Sequence, residues 1–408
     1  MATVAPPSSS PSSAGPPREQ FNLLRWLRQN LFNSRLNTLL TVVALYLVYS
    51  VLSVALTWAF TEAEWGVIAS NLKLLMVGQY PTDQVWRVWL CVVIVCILLG
   101  LSWGIWPDVV GLVGPTYGGA LLLLAVLPTA AYGLPNRIWM VVCGALIFAA
   151  WQVGRRFGAV QRFQNGVSIA WVAMLPLVLL LLSGFEPLLP GIPTRQWGGL
   201  LLTFILAIMT IVFSFPLGVL LAIGRRSPLP AVSTFSTIYI EVFRGVPLVT
   251  VLFMFLIMLP LFVPGSETTD NIIRAIVGFT LFTAAYIAEN VRGGLQSIPK
   301  GQYEAAKAVG LNPFLTMVFI ILPQALRIVI PSNVSQYVSL FKDTALVVVA
   351  GGGMLELLGI ARNIANQDEF LGRFVETLTF AGLMYWIFAF SMTYVSRRLE
   401  AKLGVGKH

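Results

Sequence analysis

Ten runs of apolar residues, most of them near the ~20 that an α-helix needs to cross a bilayer, fix the class of structure this chain forms. They lie at about 38–60, 86–106, 115–133, 138–154, 168–189, 198–223, 236–262, 272–291, 326–350 and 376–396. In hydrocarbon every backbone N–H and C=O must find its partner inside the segment, so such runs read as spanning helices. Composition agrees. Of 408 residues 57% are hydrophobic and 11% charged, with a mean hydropathy of +0.82, far from the polar balance of a soluble domain. The expected fold class is an all-α integral membrane protein of about ten transmembrane helices.

Arginine and lysine placement orients these spans, because cytoplasmic loops hold the excess of both. Seventeen of the 26 basic residues fall in segments that alternate to one side, from Arg18, Arg25, Arg28 and Arg35 through Arg155, Arg156 and Arg162 to Arg397, Arg398, Lys402 and Lys407. Both termini are expected in the cytoplasm. Residues 1–37 read as a cytoplasmic tail whose first 17 residues are rich in Pro and Ser. The formal net charge of +9 follows from this topology; no RNA-binding signature or basic domain accompanies it, so nucleic acid is not an expected partner. Residues 61–85, with Glu62, Glu64, Lys73 and Asp83, are too polar to span and are expected to form an external loop with a short amphipathic helix.

One polar segment stands apart. Between the eighth and ninth runs, Gln302 to Val309 is a stretch of good helix formers, and Gly310 occupies the position where a glycine turns the chain through positive φ. Asn312 suits an N-cap and Pro313 the first turn of a second short helix, with Pro323 marking a later kink or break. The small residues Ala305, Ala306 and Ala308 allow close approach of a partner, and Glu304 offers a charge. The product is a compact knob protruding into the cytoplasm.

The string Glu304-Ala305-Ala306, three residues, Gly310, nine residues, Ile320, one residue, Leu322-Pro323 resembles the EAA loop of bacterial ABC importer permeases. Flanking motifs at 241–247, 288–294, 297–301 and 342–344 resemble the polar amino-acid (histidine, glutamine, arginine) subfamily, and the extra N-terminal spans resemble the enlarged permease of a general L-amino-acid importer. The resemblance covers residues 196–403, which it implies are a type I importer permease domain formed by the last five helices, with a cytoplasmic coupling helix in the loop 302–323. Residues 38–189 are left as accessory transmembrane helices. It implies ATPase coupling through Glu304, Ala305, Ala306 and Gly310. It further implies a homologous permease partner in a heterodimer, two ATP-binding subunits that use ATP and Mg, and an extracytoplasmic amino-acid-binding protein. The location implied is the bacterial inner membrane.

Polar residues inside the spans are the candidates for a substrate pathway, since ionisable groups in hydrocarbon face a bundle interior or a route for solute. Glu289 is read either as a structural ion pair with Arg292 or as a substrate contact. Lys342 and Asp343 interrupt the ninth run near its middle, and mutual pairing, pairing with Glu289 or contact with a zwitterionic solute are all open. Thr283, Tyr286 and Asn290 fall on one helical face, and Gln336 and Ser339 share another with Asp343; lining a cavity and hydrogen bonding between helices are both open. Glu241 and Arg244, three residues apart, are expected to pair locally before Pro247 bends the seventh helix. Trp86, Trp89, Trp103 and Trp106 are expected to form interface belts.

Other classes fit poorly. Cys91, Cys96 and Cys143 lie in apolar runs and read as small hydrophobes, His408 is the lone histidine, and no His, Cys and carboxylate cluster has metal-ligand spacing. No cofactor is expected on this chain. Gly404-Val-Gly-Lys407 lacks the full phosphate loop, and Gly351-Gly-Gly353 lacks the lysine and hydroxyl that would have to follow. A nucleophile or acid–base pair for an enzyme is not visible, and the two halves differ too much in length and charge pattern for an inverted-repeat secondary transporter.

Overall fold

The computed structural model describes residues 23–127, 133–265, 268–351 and 353–404. Among them eight helical stretches are long and apolar enough to cross a membrane, or nine if one bent pair counts as a single span. The chain divides into two compact units, Met1–Glu64 and Trp65–His408. The first holds a short helix α1 (Leu23–Asn30) and a long helix α2 (Arg35–Thr57) that continues through a π-helical turn, Trp58–Glu62. Ser34 starts α2 in extended conformation, its Oγ accepting from Asn37 N at 3.2 Å, which satisfies one of the unpaired donors of the first turn. None of the residues of α2 is buried within this chain.

The second unit begins with α3 (Gly66–Val77), α4 (Val85–Ile105), α5 (Val113–Val126), α6 (Leu134–Phe157) and α7 (Gln161–Ser183). Two expectations are corrected here. The third run, set at 115–133, is a helix of 14 residues that ends at Leu127 in extended conformation, as the residue before a proline prefers; its remaining residues 128–132 lie outside the described set. Residues 61–85 hold the expected short helix, but it is apolar and packed rather than amphipathic in an exposed loop. α3 is apolar and buries Val67, Ile68, Leu75 and Val77, and the polar residues that suggested a loop flank the helix or, like Lys73, reach outward to Thr82 Oγ1 at 2.9 Å. Trp89 and Trp103 have partners on a neighbouring helix. They stack on Trp139 and Trp151 of α6, with ring centroids 6.3 and 4.8 Å apart, and so join α4 to α6. Just before α4, Tyr80 is fully buried, its OH donating to Leu182 O at 3.0 Å, and burial pushes that phenol up to about 12.

The remainder is α8 (Gly199–Arg225), α9 (Pro230–Gly245), α10 (Leu248–Phe253), α11 (Asn271–Ser297), α12 (Lys300–Ala308), α13 (Leu322–Asp343), α14 (Leu357–Ala365) and α15 (Phe374–Leu403). α9 and the stretch from α10 to Phe262 are bent by 105° at their junction. Val246, forced extended ahead of Pro247 at φ −105 and ψ 137, makes the break the proline predicts. α11 is the central element. Its buried Ala275, Gly278, Ala284, Ala285, Ala288 and Gly294 let α8 and α13 approach closely, which is how helices associate in lipid, where burial of apolar area gives little drive. The span containing α13 starts earlier than expected, at Pro313, passes through a π-helical stretch, Thr316–Ile321, and ends at Asp343. Pro323 sits in the first turn of α13, where its missing N–H costs little, so it does not break the span.

α3 is welded into this half. Gly199, at φ +59, donates its N–H to Leu355 O at 2.8 Å, and a Cβ there would meet Leu75 O at 2.2 Å. Gly78 closes α3 at φ +66, and a Cβ on it would lie 2.5 Å from Gly198 Cα. Around this crossing Val67, Ile68 and Leu75 of α3 form one apolar cluster with Leu200, Leu357, Ile360, Ile364 and Ala381.

Glu356 sits beside the same crossing, outside the spanning helices and with no exposed surface. It caps α14: its carboxylate accepts from Leu358 N and Gly359 N at 2.9 Å each and from Tyr385 OH at 2.5 Å. Burial raises its pKa above the ordinary glutamate range, opposed by these donors.

Candidate functional site

Three helices deliver charge to one place. α8 ends at Arg225, the last turns of α9 carry Glu241 and Arg244, and α11 carries Glu289 and Arg292 one turn apart. Glu289 accepts from Arg292 Nε at 2.9 Å and Nη2 at 2.5 Å, while Arg225 Nη1 and Arg244 Nη1 lie 3.6 and 3.7 Å from its Oε2. Arg225 Nη2 also donates to Glu241 Oε1 at 2.9 Å. Three guanidiniums against two carboxylates leave one positive charge in excess.

The expected local Glu241–Arg244 pair is therefore replaced by cross-helix pairs. The C-terminal end of α8 brings Arg225 to Glu241, and Arg244 turns toward the carboxylate of α11. Of the two readings of Glu289, the ion pair with Arg292 is formed, and it is one part of a larger ring. Arg244 also lies 5.9 Å from the centre of the Tyr286 ring, within the range of a cation–π contact, and Tyr286 packs on Phe282 with centroids 5.0 Å apart.

Asn290 Nδ2 donates to Asn333 Oδ1 at 3.0 Å, so this polar pair joins α11 to α13. Thr283 is buried, 1% exposed. Gln336 and Ser339 are half-buried on α13 and form no side-chain hydrogen bond among the described residues. Lys342 and Asp343 are corrected in position. They close the helix rather than interrupt its middle, because the chain turns at Thr344, whose Oγ1 donates to Phe341 O at 2.8 Å. Lys342 is exposed there, at a C-terminus where a cation is favoured. Neither residue has an ion pair with the other or with Glu289 among the described residues, and the charge of Glu289 is met by arginines.

α12 coincides with the short helix expected over Gln302 to Val309. Gly310 follows at φ +84, and the turn is closed by Gly310 N to Lys307 O at 3.0 Å and Leu311 N to Ala306 O at 3.1 Å. A Cβ at 310 would meet nothing within 4 Å, so glycine is needed there for backbone conformation and not for space. Asn312 Oδ1 accepts from Leu315 N at 2.8 Å, the expected cap; the helix it starts is the beginning of the long span rather than a separate short helix.

Glu304, Ala305 and Ala308 are exposed, whereas Ala306 is buried against the chain itself. Two side chains tie α12 back. Arg226 Nη1, just beyond α8, donates to Tyr303 OH at 3.4 Å and to Leu295 O at 3.1 Å, and Gln324 Nε2 of α13 donates to Gln302 Oε1 at 3.1 Å.

Sequence reasoning missed the Arg225 ring, Asn333 and Glu356. Glu356 carried a local signal, an acid directly before an apolar helical run, which is the pattern of an N-cap. Arg225 and Asn333 carried none, since their partners are 16 and 43 residues distant. Among the described residues no group of three or more His, Cys, Asp or Glu is placed to hold a metal ion.

Comparison with known proteins gives a consistent set of likenesses. The family model described as "Binding-protein-dependent transport system inner membrane component" matches residues 214–405. The inner membrane amino-acid ABC transporter permease protein YhdY of Escherichia coli is 38% identical over 399 residues, covering 94% of this chain and 93% of the relative. The glutamate/glutamine/aspartate/asparagine transport system permease protein BztC of Rhodobacter capsulatus is 35% identical over 426 residues, covering 95% of each chain. Among solved structures, an amino acid ABC transporter with histidines superposes at a TM-score of 0.45 and 24% identity, covering 50% of this chain and 92% of that one.

Proposed function

This chain belongs to the ABC importer permeases of the polar amino-acid family, and from that premise we propose how its C-terminal half couples ATP use to solute movement. It is a permease subunit of an amino-acid importer, a multi-pass protein of the bacterial inner membrane with no catalytic role of its own. Residues 196–403 act as the transport domain and 38–189 as accessory helices. α12 is the coupling helix. Glu304, Ala305 and Gly310 present the surface that a cytoplasmic ATP-binding subunit grips, and Ala306 anchors that surface from below.

One observation carries this reading: α12 projects its exposed face outward while Tyr303 and Gln302 tie it to the ends of α8 and α13. A pull on α12 is thereby delivered to two spanning helices at once. Two ATP-binding subunits using ATP and Mg, a homologous permease that completes a heterodimer and an extracytoplasmic binding protein that delivers amino acids make up the remaining complex.

The solute path runs past Thr283, Tyr286, Asn290, Gln336 and Ser339, with Lys342 and Asp343 at one end. The side chains of Gln336 and Ser339, with no hydrogen bond among the described residues, and the exposure of Lys342 support that placement. Glu289 belongs to the charge ring and orients helices; the solute passes without binding it.

The test is uptake in proteoliposomes holding the complete complex. Glu304→Lys and Gly310→Asp are expected to insert normally yet lose amino-acid uptake while ATP hydrolysis by the partner persists. Full uptake by either variant overturns the coupling role.

A further inference from the structure

The N-terminal unit carries a feature that transport does not use. In α1, Leu24, Trp26, Leu27 and the following Leu31 fall on one arc and Arg25, Arg28 and Gln29 on the opposite one. Leu24 and Trp26 are 78% and 44% exposed, so the apolar arc stays largely open among the described residues of this unit. From residue 20 to 61 there are three arginines and no acidic residue.

A turn then leads directly into α2, which is long and apolar enough to span and has no fully buried residue within its own unit. Thr41 Oγ1 donates to Leu31 O at 3.0 Å, fixing the end of α1 beside the first turns of α2. The turn after α1 and the first turns of α2 line an open depression. Phe32, Asn33, Ser34, Arg35 and Thr38 line its upper part, and Leu39 and Val42 continue down the span. Asn33 is taken up by Asn37 and Ser34 by its capping bond, whereas Arg35 and Arg28 have no hydrogen-bond or ion-pair partner among the described residues.

We propose that the α1–α2 elbow is a binding site for an anionic phospholipid, with the headgroup phosphate at Arg35, the basic arc of α1 adding to the attraction, and an acyl chain along Leu39 and Val42. An amphipathic basic helix lies in the plane of the membrane interface with its apolar arc in the acyl boundary. α2 holds α1 at that depth, at the face where the arginine distribution places the cytoplasm, and the arginines attract anionic headgroups there. Apart from Phe32 the depression is polar at headgroup level and it is apolar beneath, the order of chemistry in a phospholipid and not in a free phosphate.

The experiment is native mass spectrometry of the full chain, released from detergent containing equimolar phosphatidylglycerol and phosphatidylcholine. The chain is expected to retain phosphatidylglycerol in preference, and Arg35→Gln to lower that preference about fivefold, with a similar loss from Arg28→Gln. Leu39→Trp, which fills the apolar end, is expected to weaken binding of both lipids, and Arg162→Gln to change neither. Equal retention of the two lipids by the unaltered chain, or a preference that survives Arg28→Gln with Arg35→Gln, overturns the assignment.

Discussion

Replacing Glu289 by Gln removes the only carboxylate that α11 contributes to the ring while leaving Arg225, Arg244 and Arg292 in place. At separations of 3.6 and 3.7 Å each arginine–carboxylate attraction is worth about 1 kcal/mol in water and about 4 kcal/mol at an effective dielectric near 20. The side chains are about a quarter to a third exposed, so solvent screens much of this, and the excess of positive charge rises from one to two. A net loss of about 2 kcal/mol is expected, between the cost of breaking an exposed pair and that of breaking a buried one.

Thermal unfolding in detergent, followed by transport in proteoliposomes, reads the consequence. As a positioning residue, Glu289→Gln should lower the melting temperature and the maximal uptake rate while leaving KM alike for every amino acid carried. Combining it with Arg225→Gln should show a coupling of about 0.5–3 kcal/mol. A stable variant whose KM rises for some amino acids and not for others would refute the reasoning and return Glu289 to the solute.

Two further outcomes follow from the α3 crossing. Gly199→Ala sets a Cβ 2.2 Å from Leu75 O at a residue with φ +59, and the left-handed backbone alone costs about 1–2 kcal/mol, so the detergent-solubilised chain should melt earlier by an amount that Gly191→Ala, which meets nothing within 4 Å, does not reproduce. For Glu356, burial raises the folded-state pKa, so the folded protein holds this proton more tightly than the unfolded chain; the stability it contributes is full below the ordinary glutamate value and falls as pH rises through the folded value. Melting curves measured from acidic to neutral pH should show that decline in the unaltered chain and a flatter profile in Glu356→Gln.

Much of the fold was legible because lipid imposes a simple grammar. An apolar run near 20 residues becomes a helix, and the proline at 247 breaks one where its predecessor cannot stay helical. α12 was legible for a different reason: its helix formers, its turn glycine and its Asn312 cap all act within a few residues of one another. What stayed hidden depends on distance in sequence. Glu241 and Arg244 look paired when only neighbours are weighed, and the choice between Arg225 and Arg244 is made by how α8 and α9 pack. Lys342 looked stranded in hydrocarbon because hydropathy continues through Leu346–Ala350, whereas the helix ends at Asp343. The residues of α3 were misread by charge count, since Glu62, Glu64 and Asp83 flank an apolar segment that is itself buried.

The meeting of Gly78, Gly198, Gly199 and Leu355 has an evolutionary reading. Three stretches of chain far apart in sequence touch there through backbone, with no side chain between them to be trimmed or enlarged. Drift at any one position cannot be absorbed by its neighbours, so these stretches are expected to vary as a set across descendants of this chain, and a lineage that shed α3 would have to re-invent the entry to α8 in the same step.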